Sequence, residues 1–438
     1  MLLKDFLRRI NLKLFSWIRH FIKLQCDFQK SDWAGCLQEY TKLAVRDNLP
    51  TKKFLNYDEK ILDIAKKIRQ SHGIIISPTA IEKDEKKVAI LTSEIYDTGG
   101  HTELAIRFIN ENKKDKNIYF ILTAFNQKSE LSAPTKSKTI KELVGSEKYV
   151  EFDGVKDYAE KVIQIFNYIK ENNFSTVISN IHMHDAVGAA ILGLIHTYSD
   201  IKIEFWNHGD HFFALGTSFA DVIYTRTKNG QAVSPYLRNN SKCKNGEFII
   251  QYDKSKILTK EELAKIRESL NIPQNAFLTL TGCQLEKLGN EYFKLVNTIL
   301  KKNPNIWHLF ITPSLSYAEK TIKKNFKNNP RVILMNGTPE FEKFIQISDL
   351  YIDSFPQGSA LTLIDCIKYK KPVVIKINEK DPIRSFEEYL YPNYEYAFKT
   401  SKGMFNGISK LANDKNEYEK TSENVWHFFK NKYLEGNT

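Results

Sequence analysis

The sequence is short of several signatures, and each absence narrows what the chain can do. No apolar run approaches the roughly 20 residues a helix needs to span a bilayer, and the amino terminus has no uninterrupted apolar centre of the secretory-signal type. The five cysteines, Cys26, Cys36, Cys243, Cys283 and Cys366, are scattered, odd in number and never spaced as C-x-x-C. That argues against a disulfide framework or a zinc ribbon and favours a reducing, cytoplasmic compartment. There is no D-x-D tripeptide, so a diphosphate bridged by a metal on paired carboxylates is not expected. There is no G-x-x-x-x-G-K-[ST] either, which weakens an ATPase reading.

What is present fits a soluble globular protein, with 42% hydrophobic and 26% charged residues. At 438 residues the chain is too long for one ordinary core, so two domains and an extension are expected. The net charge of +12 favours an anionic partner. A Lys-rich, well-solvated surface explains the same charge equally well, and no nucleic-acid partner is expected.

The first 25 residues carry Leu3, Phe6, Leu7, Ile10, Leu14, Ile18, Phe21 and Ile22 at helical spacing. Lys4, Arg8, Arg9, Lys13, Arg19 and Lys23 fill much of the remainder, with Trp17 among them. Such a basic amphipathic helix can lie on an anionic membrane surface. Packing on the protein's own core is the competing reading.

From Lys86 strands and helices alternate: "KVAILTSEI", "NIYFILTAF", "FSTVISNIH", "KIEFWNHGD" and "ADVIYTRT" read as strands. This rhythm predicts parallel βαβ units. After Thr227 "KNGQAVSPYLRNNSKCKNGE" reads as a loop-rich linker. The rhythm restarts with "AFLTLTGCQ", "IWHLFITP", "RVILMNG", "DLYIDSF" and "PVVIKI". The expected architecture is α/β: a helical extension at 1–80, Rossmann-like domains at 81–235 and 255–412 with a cleft between them, and a last helix at 413–438 that crosses back onto the first domain. In such sheets ligands sit at the carboxyl ends of the strands.

The stretch "DSFPQGSALTLIDCIKYKKPVV", Asp353 to Val374, reads as strand, turn, helix and strand. A helix N-terminus after a glycine turn offers free N–H groups to an anion. Gly358, Ser359, Ala360 and Thr362 form that turn, and Asp365 follows about one helical turn later. A carboxylate there suits ribose hydroxyls rather than phosphate, so the stretch is read as a nucleoside diphosphate site. An ordinary βα turn with a solvated Asp365 is the competing reading. Gln284 and Lys287 in "TGCQLEK" leave the first strand of the same domain and are placed to neutralise a diphosphate. Thr338, in "MNGTPEF", lies in a loop whose backbone is suited to a nucleobase edge.

These residues resemble a GT-B glycosyltransferase, with a nucleotide domain similar to the O-GlcNAc transferase group and related bacterial sugar transferases. "QLEK" matches that group's Q-x-x-K element, whose Lys contacts the diphosphate, and "SALTLID" stands where its ribose-binding Asp element does. "TGGHTEL", with Gly99, Gly100 and His101, matches a Gly-x-His turn that faces the donor, and "FWNHGDHFFALG" resembles a bacterial segment. No tetratricopeptide array precedes the matched region. Where retaining families have two Glu eight residues apart, this chain has Gln357 and Asp365, which favours inversion.

Inversion calls for a base near neutral pH. His101, His208 and Asp210 are the candidates, and His182, His184 and His211 are placed on the sugar or acceptor side, next to Asp185. His196 and His308 read as structural. The resemblance implies metal-independent transfer from a nucleoside diphosphate sugar, with no cofactor beyond the donor. A UDP-sugar is the expected donor, and a cell-surface glycan or lipid-linked acceptor the expected recipient, as in bacterial polysaccharide or lipopolysaccharide synthesis. The expected location is the inner face of the membrane. The alternatives are a protein acceptor, a metal-dependent hydrolase built on the His/Asp clusters, and a non-catalytic sugar-nucleotide binding protein.

Overall fold

A computed structural model of the chain describes residues 19–46, 57–73, 84–97, 100–125, 133–210, 213–238, 240–246, 250, 252–313, 315–381 and 385–435. It divides into two compact units, Met1–Ile249 and Ile250–Thr438. Each is built on one parallel sheet.

The first unit begins with helical residues 19–29 (α1), Trp33–Arg46 (α2) and Tyr57–Ser71 (α3). Its strands are β1 Asp84–Thr92, β2 Asn117–Leu122, β3 Tyr149–Glu151, β4 Phe174–Asn180, β5 Lys202–Trp206, β6 Val222–Thr225 and β7 Cys243–Asn245. Between them lie α4 Gly100–Asn112, α5 Pro134–Val144, α6 Tyr158–Glu171, α7 Ala186–Tyr198 and α8 Lys228–Arg238. The sheet order is β3-β2-β1-β4-β5-β6-β7, with every pair parallel. Helix α7 is buried without interruption from Ala186 to Ile195. A helix apolar on all sides must be covered on all sides; α2, α3 and α6 pack on it, and their Leu37, Ile61, Ile64 and Phe166 join one core with Leu91 and Val177. Over its described part the amino-terminal extension is thus an added layer of the first core. Buried Asp58 of α3 locks that layer by accepting the N–H groups of Gly216 (2.7 Å) and Ser218 (3.0 Å). The turn it holds passes through φ +87° at Gly216, a conformation that favours glycine.

The second unit contains α9 Lys260–Ser269, β8 Phe277–Gly282, α10 Asn290–Lys302, β9 Ile306–Thr312, α11 Leu315–Asn325, β10 Val332–Asn336, α12 Phe341–Ile347, β11 Leu350–Ile352, α13 Leu361–Lys368, β12 Val373–Lys376, β13 Ala397–Phe398, α14 Ser401–Asn413 and α15 Lys415–Phe429. Its order is β10-β9-β8-β11-β12-β13, again parallel throughout. Both sheets therefore share one winding. Each reverses direction at one place, between β1 and β4 in the first and between β8 and β11 in the second. The crevice outside the carboxyl ends at such a reversal is where ligands bind in open α/β sheets.

Two expectations are corrected. Of the linker read after Thr227, Lys228–Arg238 is helix α8. Its Asn229, Gly230 and Pro235 read as loop, but Thr227 Oγ1 accepts the Gly230 N–H (2.7 Å) and the helix packs on β6 and β7. Strands β3, β7 and β13 were not foreseen, because two or three residues at a sheet edge carry no readable period. The last helix packs on α13 and α14 of its own unit. Among the described residues no helix is long and apolar enough to cross a membrane.

Candidate functional site

At the reversal of the second sheet, two loops are joined by backbone bonds. Gln284 to Lys287 leave β8 as a single 3-10 turn. Residues 353–360 leave β11. Gly289 N–H donates to the Phe355 carbonyl (2.9 Å), Leu288 bridges Pro356, and Gln357 N–H points at the Lys287 carbonyl (3.4 Å). The "QLEK" loop is thus held against the turn that precedes "SALTLID". Lys287 is half-buried and has no carboxylate at ion-pair distance among the described residues, whereas Gln284 is exposed. Helix α13 starts at Leu361 with Ala360 as its N-cap and no side chain capping it. Leu363 N–H turns back to the Ala360 carbonyl (3.2 Å), which leaves the N–H groups of Leu361 and Thr362 open to an anion at this end.

Asp353 organises the turn, a role the sequence reading did not assign. Its Oδ1 accepts the N–H groups of Ser354 and Ser359, each at 2.9 Å. Its Oδ2 is buried and meets no hydrogen-bond donor among the described residues. Burial pushes its carboxyl up to about 7, opposed by the Ser359 N–H, the Lys287 charge and the Ser354 N–H. The Ser359 hydroxyl lies 3.3 Å from both the Tyr351 and Ser354 hydroxyls. Ser359 and Gly358 are thus buried parts of the turn, leaving Ala360 and Thr362 as its partly exposed members. The one available signal for Asp353 was its place at the end of a buried strand beside the reversal.

Asp365 lies one turn into α13 and is 3.3 Å from Lys368 Nζ, which also meets Glu342 at 2.7 Å. Tyr369 donates to the other Glu342 oxygen (2.6 Å). Burial would raise the Glu342 carboxyl, but Lys368 and Tyr369 hold it below its ordinary value. Thr338 follows β10, which β9 separates from β8, and its hydroxyl accepts the Glu340 N–H (3.1 Å).

In the first unit the tips of three adjacent strands, β1, β4 and β5, bring histidines together. His101, in the first turn of α4 after Gly100, lies against His208 with ring centroids 4.1 Å apart and the ring planes tilted by 39°. His182 lies 4.8 Å from His184 by the same measure. Burial first and the neighbouring His182 second push both His101 and His184 down to about 3. The Ile181 backbone opposes this at His101, whose ring nitrogens are buried and make no hydrogen bond of normal geometry among the described residues. His208 is lowered as well, by burial and then by His101, Arg226 and His182. His101, His184 and His208 are therefore uncharged at pH 7. Buried Glu94, at the tip of β1, accepts the Tyr96 hydroxyl, and its Oε1 meets no donor among the described residues. Gly99 and His211 lie outside the described residues.

Asp210 is engaged elsewhere. Its carboxylate takes Asn207 Nδ2 (2.7 Å), the N–H groups of Arg226 (3.0 Å) and Thr227 (3.1 Å), and the Thr227 hydroxyl (3.2 Å). The three donors from Arg226 and Thr227 make it the anchor of the start of α8. Asp185 is likewise buried, accepting Ser93 (2.6 Å), Thr123 (3.1 Å) and the Gly188 N–H that begins α7 (2.8 Å). His308 sits in the second core between Thr279 and Tyr292. No group of three or more His, Cys, Asp or Glu among the described residues is arranged to hold a metal ion.

No protein-family description matches the chain, and no curated protein matches it. Solved structures do. The chain is similar to an O-GlcNAc transferase from Thermobaculum terrenum, at 11% identity over 91% of this chain and 74% of that one, with a TM-score of 0.59. It is similar to HepE from Anabaena in complex with UDP and glucose, at 13% identity over 80% of this chain and 96% of that one, TM-score 0.61. A glycosyltransferase from Rickettsia africae matches at 15% identity over 80% and 97%, TM-score 0.58. The fold of this chain is therefore the GT-B fold of these proteins, with one doubly wound sheet in each unit.

Proposed function

We propose that the protein is a glycosyltransferase whose second unit binds a nucleoside diphosphate sugar, most simply a UDP-sugar. One observation carries this reading: Lys287 is tied by backbone bonds at the sheet reversal to the turn that leads into the uncapped start of α13. A cation and a row of N–H groups suit a diphosphate in the ground state and stabilise its growing charge as it leaves. Asp365, one turn deeper, is assigned to the ribose hydroxyls. The fold neighbour HepE holds UDP and glucose, which supports uridine as the base.

In this reading transfer inverts the anomeric centre, and the charge of the leaving diphosphate falls on Lys287 and α13. We assign no metal to the step, so EDTA leaves turnover intact. The acceptor is assigned to a lipid-linked or surface glycan at the inner face of a membrane, because a helix exposing Phe21 and Ile22 would hold the enzyme where such acceptors are concentrated.

The test is a panel of sugar nucleotides assayed for hydrolysis and transfer, with calorimetric binding of UDP and uridine. UDP is expected to bind tightly and one UDP-sugar to turn over. Equal affinity for UDP and uridine would overturn the diphosphate assignment.

A further inference from the structure

Asn180 ends β4 at the reversal of the first sheet and is fully buried. Its amide touches two groups. Nδ2 lies 3.2 Å from Thr92 Oγ1, and Oδ1 lies 2.7 Å from His208 Nε2. Thr92 Oγ1 also donates to the Asn180 carbonyl at 3.1 Å.

A hydroxyl has one proton to give. Thr92 spends it on the Asn180 carbonyl, so its remaining contact must be a donor, and that donor is the amide nitrogen. Reversing the amide would set two acceptors against one hydroxyl proton. The amide oxygen therefore faces His208. An amide oxygen can only accept, so a neutral His208 must carry its proton on Nε2. Nδ1 is then the nitrogen with the lone pair, and no donor among the described residues meets it. The groups acting on His208 are His101, His182 and Arg226, each of which opposes positive charge on the ring.

We infer that Asn180 is a positioning residue that fixes His208 as its Nε2–H tautomer, so that Nδ1 accepts the proton of the attacking hydroxyl. This rests on the glycosyl-transfer reading for its second half only. In that step the hydroxyl proton passes to Nδ1, and the hydroxyl oxygen forms a bond to the anomeric carbon. The bond from that carbon to the diphosphate oxygen breaks, with its electron pair leaving on UDP. His208 then returns the proton to solvent.

The experiment uses the full chain labelled with 15N-histidine, with His208 assigned by the signal missing from H208Q. At pH 7 the wild type is expected to show a protonated Nε2 and an unprotonated Nδ1. N180A should show both tautomers, and T92V, which frees the amide to rotate, should move the same way. N180D keeps an acceptor towards Nε2–H and is expected to retain the tautomer while raising the acid limb of the pH–rate profile. For N180A, kcat should fall on the order of 100-fold with the donor KM little changed, the scale of a general-base contribution. A protonated Nδ1 in the wild type, or the same tautomer in N180A, overturns the inference; if N180A does not fold, T92V and N180D decide it alone. Absence of any sugar-nucleotide turnover overturns the glycosyltransferase reading instead, while the spectra still decide the tautomer.

Discussion

A basic and an acidic side chain stand at the tip of the second sheet, and they answer to different experiments. Lys287 is tied by backbone to the turn before α13 but pairs with no carboxylate among the described residues. A charge-assisted contact to phosphate contributes on the order of 1.5–3 kcal/mol. Lys287→Ala should therefore weaken UDP by about 10- to 100-fold and leave uridine nearly unchanged by calorimetry; equal losses for both would mean that the Lys acts on the fold. Asp353 is a stability question. Its carboxyl is raised from 3.8 to about 7. Between those values the folded state holds a proton that the unfolded state has released, so its contribution to stability falls as pH rises through that window. His101, His184 and His308 run the other way. Each is lowered from 6.5 to about 3, so they favour the fold as pH rises towards 6.5. The whole-protein curve mixes the two, but Asp353→Asn isolates one. Its stability relative to wild type should rise between about pH 4 and pH 7 in urea titrations, since the amide can still accept from Ser354 and Ser359. A difference that does not change with pH would show that Asp353 is ionised in the fold.

At the scale of elements, α8 shows how a buried carboxylate can hold a helix that its sequence disfavours. Asp210 takes three donors at the start of α8 and a fourth from Asn207. A Cβ at Gly230 would lie 2.1 Å from its Oδ2 and 2.3 Å from its Cγ, and those bonds keep the carboxylate from moving aside. Gly230→Ala is expected to cost about 1–3 kcal/mol, the range for overpacking, and to speed amide exchange in α8 more than in α14. With Asp210→Ala the two losses should be less than additive, since both act through one carboxylate; full additivity would place the clash elsewhere. The same element marks the limit of what the sequence makes legible. The strand-turn-helix-strand course of Asp353 to Val374 is local, and β11, α13 and β12 stand where it is read. The helix α8 depends on Asp210, 18 residues before its start, and no local pattern announces it. Each histidine could be placed on a strand tip, but their meeting depends on β1, β4 and β5 being neighbours. Asn180 and Asp353 were invisible for a related reason: a polar residue ending a buried strand shows its partners only once the neighbouring strand is in place.

At the scale of the molecule, the amino-terminal helix divides its residues between two tasks. Of α1, residues 19–25 belong to the segment read as a membrane helix, and residues 1–18 lie outside the described residues. The inner face packs: Leu24 is buried and His20 Nδ1 meets Glu39 at 2.6 Å. The outer face exposes Phe21 (40%), Ile22 (56%) and Phe28 (43%), three of the four large hydrophobic side chains exposed among the described residues. Apolar side chains flanked by Arg19 and Lys23, on a chain of net charge +12, suit an anionic lipid surface. Removing residues 1–25 whole would be a poor test, because it would strip Leu24 from the core and leave Glu39, fully buried, without its His20 and Lys23 partners. The double substitution Phe21→Ser with Ile22→Ser keeps the packed face. Wild type is expected to cosediment with vesicles containing phosphatidylglycerol at low salt and to release as the screening length shortens from about 10 Å at 0.1 M to about 3 Å at 1 M. The double variant should lose most of that binding while UDP affinity and thermal stability stay unchanged. If wild type ignores anionic vesicles at low salt, or the variant binds them equally well, the outer face of α1 is no membrane anchor, and a lipid-linked acceptor loses the physical argument that led to it.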